Sequence, residues 1–137
     1  MIRTIPTSAW AAAVCAWALG CSSAKKAEDA AFDETRTTLE DVRLLLQAPS
    51  YDGQPPPRKA DDLRKFENAF PTGFAAVQSG EVVVVWGARM PPEGEGGSDA
   101  IIAYEKKTPA QGGLVLLENG TIKPMTPDQF NSAPKAH

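Results

Sequence analysis

The stretch GLVLLENGTIKPM, residues 113–125, sets two apolar runs on either side of Asn119-Gly120. Asn-Gly readily takes the two positive-φ positions of a type I′ turn, so the stretch predicts an antiparallel hairpin of residues 114–118 and 121–125. Pro124 has no amide hydrogen to offer a neighbour, which puts the second strand at a sheet edge or ends it there. Upstream, AIIAYEK (100–106) and EVVVVWG (81–87) predict two further strands, the latter a β-branched run with a Trp, bounded by Ser79-Gly80 and Gly87. Both faces of that run are apolar, so it is expected in the middle of the sheet, covered on each side. Downstream, TPDQF (126–130) offers Thr126 as N-cap, Pro127 at the first helical position and Gln129 at the third, a helix start that leaves Phe130 free to fold back on the sheet. Residues 134–137 are expected to fray as a disordered tail.

Ahead of the strands the periodicity is helical. In TTLEDVRLLLQA (37–48), Leu39, Val42, Leu45 and Leu46 recur at spacings of three and four, and Thr37 with Glu40 reads as a capping box. Pro49 is expected to end this helix, and SYDGQPPPRK (50–59) to form an ordered linker or exposed loop, because consecutive prolines remove amide donors and extend the backbone. ADDLRKFENAF (60–70) places Leu63, Phe66 and Phe70 on one helical face, with Asp61 or Asp62 as cap and Pro71 and Gly73 as stop. ARMPPEGEGGSD (88–99) reads as a mobile loop. Helices followed by strands argue for an α+β domain over residues 36–133, with N-terminal helices packed on one face of a roughly four-stranded antiparallel sheet and a short C-terminal helix.

The amino terminus has a different character. Arg3 supplies a short basic region and residues 9–20, AWAAAVCAWALG, an apolar run too short to span a bilayer, so residues 1–20 read as a signal peptide. The residues that follow the run, Ala18-Leu19-Gly20-Cys21, resemble the lipobox of bacterial lipoproteins, with Leu and Ala in swapped order. That resemblance implies cleavage between Gly20 and Cys21 and a lipid on the Cys21 thiol; ordinary signal cleavage after Ala18 is the alternative. With Cys15 lost and Cys21 acylated, the mature chain has no thiol left for a disulfide and must rely on packing. Residues 21–35 then form the lipidated cysteine and a flexible tether, since SSAKKAEDAAFDE (22–34) is small, charged and nearly free of large apolar groups.

Residues 98–130 also resemble the terminal segment of planctomycete-type prepilin-like proteins, on Ala103-Tyr104-Glu105, Gly112-Gly113 and the turn before Thr121. Asn119 stands where that family has Asp, Pro109 where it carries a histidine, and no prepilin leader is present. The resemblance implies a shared β-hairpin module in a small exported protein and does not carry pilus assembly with it.

Charge and chemistry narrow the function. The chain of 137 residues has 14 basic and 17 acidic side chains; losing residues 1–20 removes Arg3 and no acid, which leaves 13 against 17 and a formal charge of -4. No basic stripe exists to neutralise phosphates, so nucleic acid is not an expected partner. His137 is the only histidine, which removes Ser-His-Asp, Cys-His and His-ligated zinc chemistry. GEGG (94–97) neither follows a strand directly nor opens a helix, as a phosphate-cradling loop would. Asp61, Asp62, Glu93, Glu95 and Asp99 are the carboxylates an acid-only enzyme or a weak cation site could use, and they read better as helix caps and a solvated turn. Trp86 and Tyr104 are the candidate binding face, each pairing an apolar body with a polar tip, against a role as packing partners. No catalytic residue, metal ligand or cofactor is expected.

The expectation is a non-enzymatic lipoprotein of the cell envelope, held at a membrane by its lipid, facing the periplasm or the exterior, and presenting a small domain to an envelope protein. The alternatives are a pseudopilin-like structural subunit, or a secreted soluble binding module if Cys21 carries no lipid.

Overall fold

The computed structural model describes residues 21–137. The apolar run, Cys15 and Gly20 lie outside the described residues. Four antiparallel strands, β1 (Val82–Val84), β2 (Ile101–Glu105), β3 (Gly113–Leu117) and β4 (Ile122–Met125), lie side by side in chain order. Helices α1 (Cys21–Tyr51) and α2 (Pro71–Ser79), with a 3-10 helix (Ala60–Phe66) between them, cover one face. The short α4 (Pro127–Ser132) covers the other, and α3 (Thr108–Gln111) is a single turn between β2 and β3. The expected α+β class, sheet and closing helix are all present. Among the described residues no helix is long and apolar enough to cross a membrane.

Side-chain alternation along β3 builds both cores. Leu114 and Leu116 point into the helical layer with Leu39, Val42, Leu45 and Phe74, while Val115 and Leu117 meet Met125 and Phe130 on the opposite face. All four β3 leucine and valine side chains are buried. This is the strand covered on both sides, and β1, expected in that position, is an edge. Its apolar character alone could not place it: Val82 and Val84 face the helices, whereas Val83 is only half-buried.

The hairpin forms where expected but with a different turn. Among the described residues no non-glycine has positive φ, so Asn119 is not in the left-handed region and only Gly120 is, at φ 87°. The Gly120 amide donates to the Leu117 carbonyl and the Leu117 amide to that of Thr121, the pattern of a type I turn closed by a left-handed glycine. Asn119 contributes through its side chain instead, its Oδ1 accepting from the Thr121 amide at 2.9 Å. At the other end of β3, a Cβ on Gly113 would sit 2.5 Å from Glu105 Oε2, the oxygen that accepts the Leu114 amide at 2.6 Å. The Tyr-Glu strand and the Gly-Gly pair thus meet: the carboxylate occupies the space that glycine leaves open.

The helical half departs further from expectation. Residues 22–34, expected as a flexible tether, are the first turns of α1, with residues 26–34 exposed. Thr37 and Glu40 therefore lie inside a helix and form no capping box; the Thr37 hydroxyl donates to the Asp33 carbonyl and Glu40 pairs with Arg43. Pro49 is tolerated within the last turns, and α1 runs on to Tyr51. Pro71 and Gly73 do not stop a helix but start α2, with Pro71 at its first position, where a missing amide hydrogen costs least. Gly73 is buried against α1: its amide donates to the Asp41 carboxylate at 2.6 Å, and a Cβ there would lie 2.8 Å from the Asp41 carbonyl carbon.

The carboxyl end behaves in two ways. The capping box of α4 is complete, Thr126 Oγ1 accepting the Gln129 amide and Gln129 Oε1 accepting the Thr126 amide, and Phe130 is buried under the sheet as expected. The expected frayed tail is instead stitched in. Between Ile101 and Ala103 the ladder of β2 on β3 slips by a bulge, and Ile101 gives its amide to the Pro134 carbonyl and takes the Ala136 amide, each at 2.9 Å. Ala136 is buried in the helical core.

Two stability predictions follow from this packing. Gly73→Ala forces α1 and α2 apart and is expected to cost about 1–3 kcal/mol, read as a lower urea midpoint with an unchanged slope. Deleting residues 134–137 strands the Ile101 amide and carbonyl, and a loss of about 1–3 kcal/mol is expected by the same measurement.

Candidate functional site

The expected sites scatter. Tyr104 is half-buried in an edge-on pair with Phe130, ring centroids 4.6 Å apart, so it packs the second face of the sheet. Trp86 is exposed at 37% and lines a shallow groove with Pro55, Pro56 and Arg58, held there by the Gly87 amide donating to the Pro57 carbonyl. The two aromatics line no common groove. The backbone of Cys21 belongs to α1.

Four of the five candidate carboxylates are engaged separately, and Glu93 lines a cleft described below. Asp61 pairs with Arg64 at 2.6 Å, and that hydrogen bond, with the guanidinium charge, holds its carboxyl below the usual range. Asp62 accepts the Arg58 amide, Glu95 faces Arg89 at 3.6 Å, and Asp99 accepts from Asn119 Nδ2 at 2.9 Å. Among the described residues no group of three or more His, Cys, Asp or Glu is placed to hold a metal ion.

A different place gathers polar groups: a cleft of about 320 Å³ between α1, the loop of residues 91–97 and the turn joining β3 to β4. Its first wall is a stripe on α1, Glu40, Arg43 and Gln47, at spacings of three and four that align side chains along a helix. Its second wall is the loop, expected to be mobile and in fact tied at both ends. Toward α1, Gln47 Nε2 donates to the Pro91 carbonyl at 3.0 Å, Ser50 Oγ to the Met90 carbonyl at 2.8 Å, and the Tyr51 hydroxyl accepts the Glu93 amide at 3.1 Å. Toward the hairpin, the Asn119 amide donates to the Ser98 carbonyl and the Glu118 amide to that of Ala100, while the Ser98 hydroxyl donates to the Glu118 carboxylate. Gly97 makes this return possible, since a Cβ on it would lie 2.6 Å from the Glu118 carbonyl oxygen.

Gln47 is the unusual member. It is 3% exposed, its Nε2 is used, and its Oε1 is the one buried side-chain polar atom among the described residues with no partner. An unmatched buried acceptor costs about 1–3 kcal/mol. Charge in the cleft is negative, with the carboxylates of Glu40, Glu93 and Glu118 against the single guanidinium of Arg43, itself bonded to Glu40 at 3.0 Å. Such a wall accepts hydrogen bonds and attracts cations; it holds no nucleophile with an adjacent base. Sequence reasoning passed over Gln47, because a glutamine beside an amphipathic stripe carries no mark of its own burial.

The clamp on the turn can be tested directly. Asn119→Ala removes both the bond to Asp99 and the acceptor for the Thr121 amide, and is expected to lower stability by about 1–2 kcal/mol while speeding amide exchange at residues 98–100.

Comparison with protein-family models, with curated proteins and with solved structures finds no match to this chain.

Proposed function

We propose that the protein is a non-enzymatic lipoprotein of the bacterial cell envelope, anchored through Cys21 and presenting its α+β domain to a partner at the membrane surface. The observation that carries this reading is the exposed part of α1. From residue 26 onward Leu39 is the first buried residue, and residues 26–34 are all exposed. At about 1.5 Å per residue, the helix from Cys21 to Glu34 is a spacer of roughly 20 Å. Its charges, among them Lys26, Glu28, Asp29 and Asp33, surround residues 26–33 with water, and the helix first comes beside the sheet at Glu34, Thr35 and Thr38. A hydrated stalk between the lipobox-like cysteine and the first core residue suits a body held clear of a bilayer. Stable attachment takes more than one acyl chain, as the multiply acylated cysteine of such lipoproteins provides.

The test is metabolic labelling with a radioactive fatty acid in bacteria expressing the full chain. Label on the protein, lost in Cys21→Ser, and partition of the labelled form into a detergent phase are expected. Absence of label together with recovery in the aqueous phase overturns the anchor and leaves a secreted soluble module.

A further inference from the structure

The asparagines of the chain are Asn68, Asn119 and Asn131, and of these only Asn119 is followed by glycine. Such a pair loses its side-chain amide most readily, because glycine has no side chain to keep its backbone nitrogen from the neighbouring amide carbon. From the three hydrogen bonds that fix Asn119 and Gly120 in the β3–β4 turn, we infer that Asn119-Gly120 is a self-deamidation site which the fold holds shut, and whose reaction loosens the loop of residues 91–97 from the hairpin.

The reaction needs only water. The Gly120 nitrogen gives its proton to solvent base and bonds to Asn119 Cγ, closing a cyclic imide. The Cγ–Nδ2 bond breaks, and Nδ2 takes a proton from solvent and leaves as ammonia. Water then opens the imide at one of its two carbonyls, which yields aspartate or its β-linked isomer, isoaspartate.

Each reacting group is restrained. The Gly120 N–H donates to the Leu117 carbonyl at 2.9 Å, so losing the proton breaks a bond. Asn119 Nδ2 donates to Asp99 Oδ1 and Asn119 Oδ1 accepts the Thr121 amide, each at 2.9 Å, so the side chain turns only by giving up two more. The backbone adds a further restraint. Asn119 occupies the second central position of a type I turn, where ψ is about 0°. That conformation sets the Gly120 nitrogen beside the nitrogen of Asn119 itself, whereas the imide closes only with it beside Cβ. Reaction therefore waits for the turn to open, and its rate is that of an unfolded chain multiplied by the fraction of time the turn is open.

The products undo the latch. The bond from Asn119 to Asp99 depends on the donor that the reaction removes, and the carboxylate left in its place repels that of Asp99. Isoaspartate also lengthens the backbone by one carbon at the point where the Asn119 amide meets the Ser98 carbonyl. The far end of the loop stays tied to Gln47, Ser50 and Tyr51.

Ageing the full chain in mildly alkaline buffer, with peptide mapping by mass spectrometry to count aspartate and isoaspartate at position 119, is the experiment. Deamidation in the native chain is expected to be about tenfold or more slower than in guanidinium chloride. Asp99→Ala, at an exposed position, should raise the native rate severalfold and leave the rate in guanidinium chloride unchanged. Gly73→Ala, which weakens the helical layer far from the turn, should leave the native rate near that of the parent. Asn119→Asp should speed amide exchange at residues 98–100, and adding Asp99→Asn, which exchanges amide and carboxylate, should slow it again. The inference is overturned if position 119 reacts as fast in the native chain as in guanidinium chloride, or if Asp99→Ala leaves the native rate unchanged. It also fails if Gly73→Ala raises the rate as much as Asp99→Ala, since opening of the whole domain would then set it. The latch is overturned if exchange at residues 98–100 in Asn119→Asp matches the parent.

Discussion

Strand β3 has no polar side chain between Leu114 and Leu117, and a sheet containing such a strand must be covered twice. Each fully buried leucine or valine contributes about 1.5–3 kcal/mol relative to exposure, so leaving either face to water would remove most of the margin of a domain this size. The remaining architecture answers that demand. On one face α1 supplies Leu39, Val42 and Leu45 and α2 supplies Phe74. On the other the short α4 sets Phe130 over Val115, Leu117 and Tyr104. Lys135 closes this smaller layer, its Nζ donating to the carbonyls of Phe130 and Ala133 and lying 4.2 Å from the Phe130 ring centroid. The carboxyl end is thus part of the covering, which is why it does not fray.

Elements with local determinants were legible from the residues alone. The capping box at Thr126 and Gln129, the strands around Asn119-Gly120 and the apolar stripe of α1 are all encoded within a few positions. Failures occurred where a distant contact decides. Gly73 reads as a breaker until α1 is beside it, when it becomes the point where two helices touch. Val82 to Val85 reads as a central strand until β3 claims the doubly covered position. Asn119 has the chemistry for positive φ, yet its side chain is engaged by Asp99 and Thr121, and Gly120 alone supplies the left-handed residue. Ser22 to Glu34 has the composition of a tether and is helical all the same, continuous with a helix whose packed half propagates it, because extending a formed helix costs far less than nucleating one.

Polar groups follow a similar division. The pairs at Asp61 with Arg64 and Glu40 with Arg43 are near neighbours on exposed or partly exposed helix surface and contribute little to stability. The bonds joining residues 90–100 to Gln47, Ser50, Tyr51 and the β3–β4 turn span long separations in sequence, and they convert a Pro- and Gly-rich segment into a wall. Prolines suit that task because Pro91 lacks an amide yet keeps its carbonyl, the group Gln47 uses. Glycines suit it because Gly97 must pass against the backbone of Glu118.

The same helix carries Cys21 at one end and a wall of the acidic cleft further along. Gln47 lies twenty-six residues beyond Cys21 along α1, about 39 Å at the rise of an α-helix. A bilayer's negative surface potential is screened within roughly 8–10 Å at physiological salt. In an anchored protein whose stalk stands away from the membrane, the acidic cleft would therefore sit beyond the reach of the headgroup potential. A flexible tether of the same length would let the domain fall back onto the surface, where anionic headgroups and the cleft would draw on the same ions. Helical continuity from residue 21 into the packed core is what separates those two situations, so the stalk and the cleft are linked by geometry even though neither touches the other.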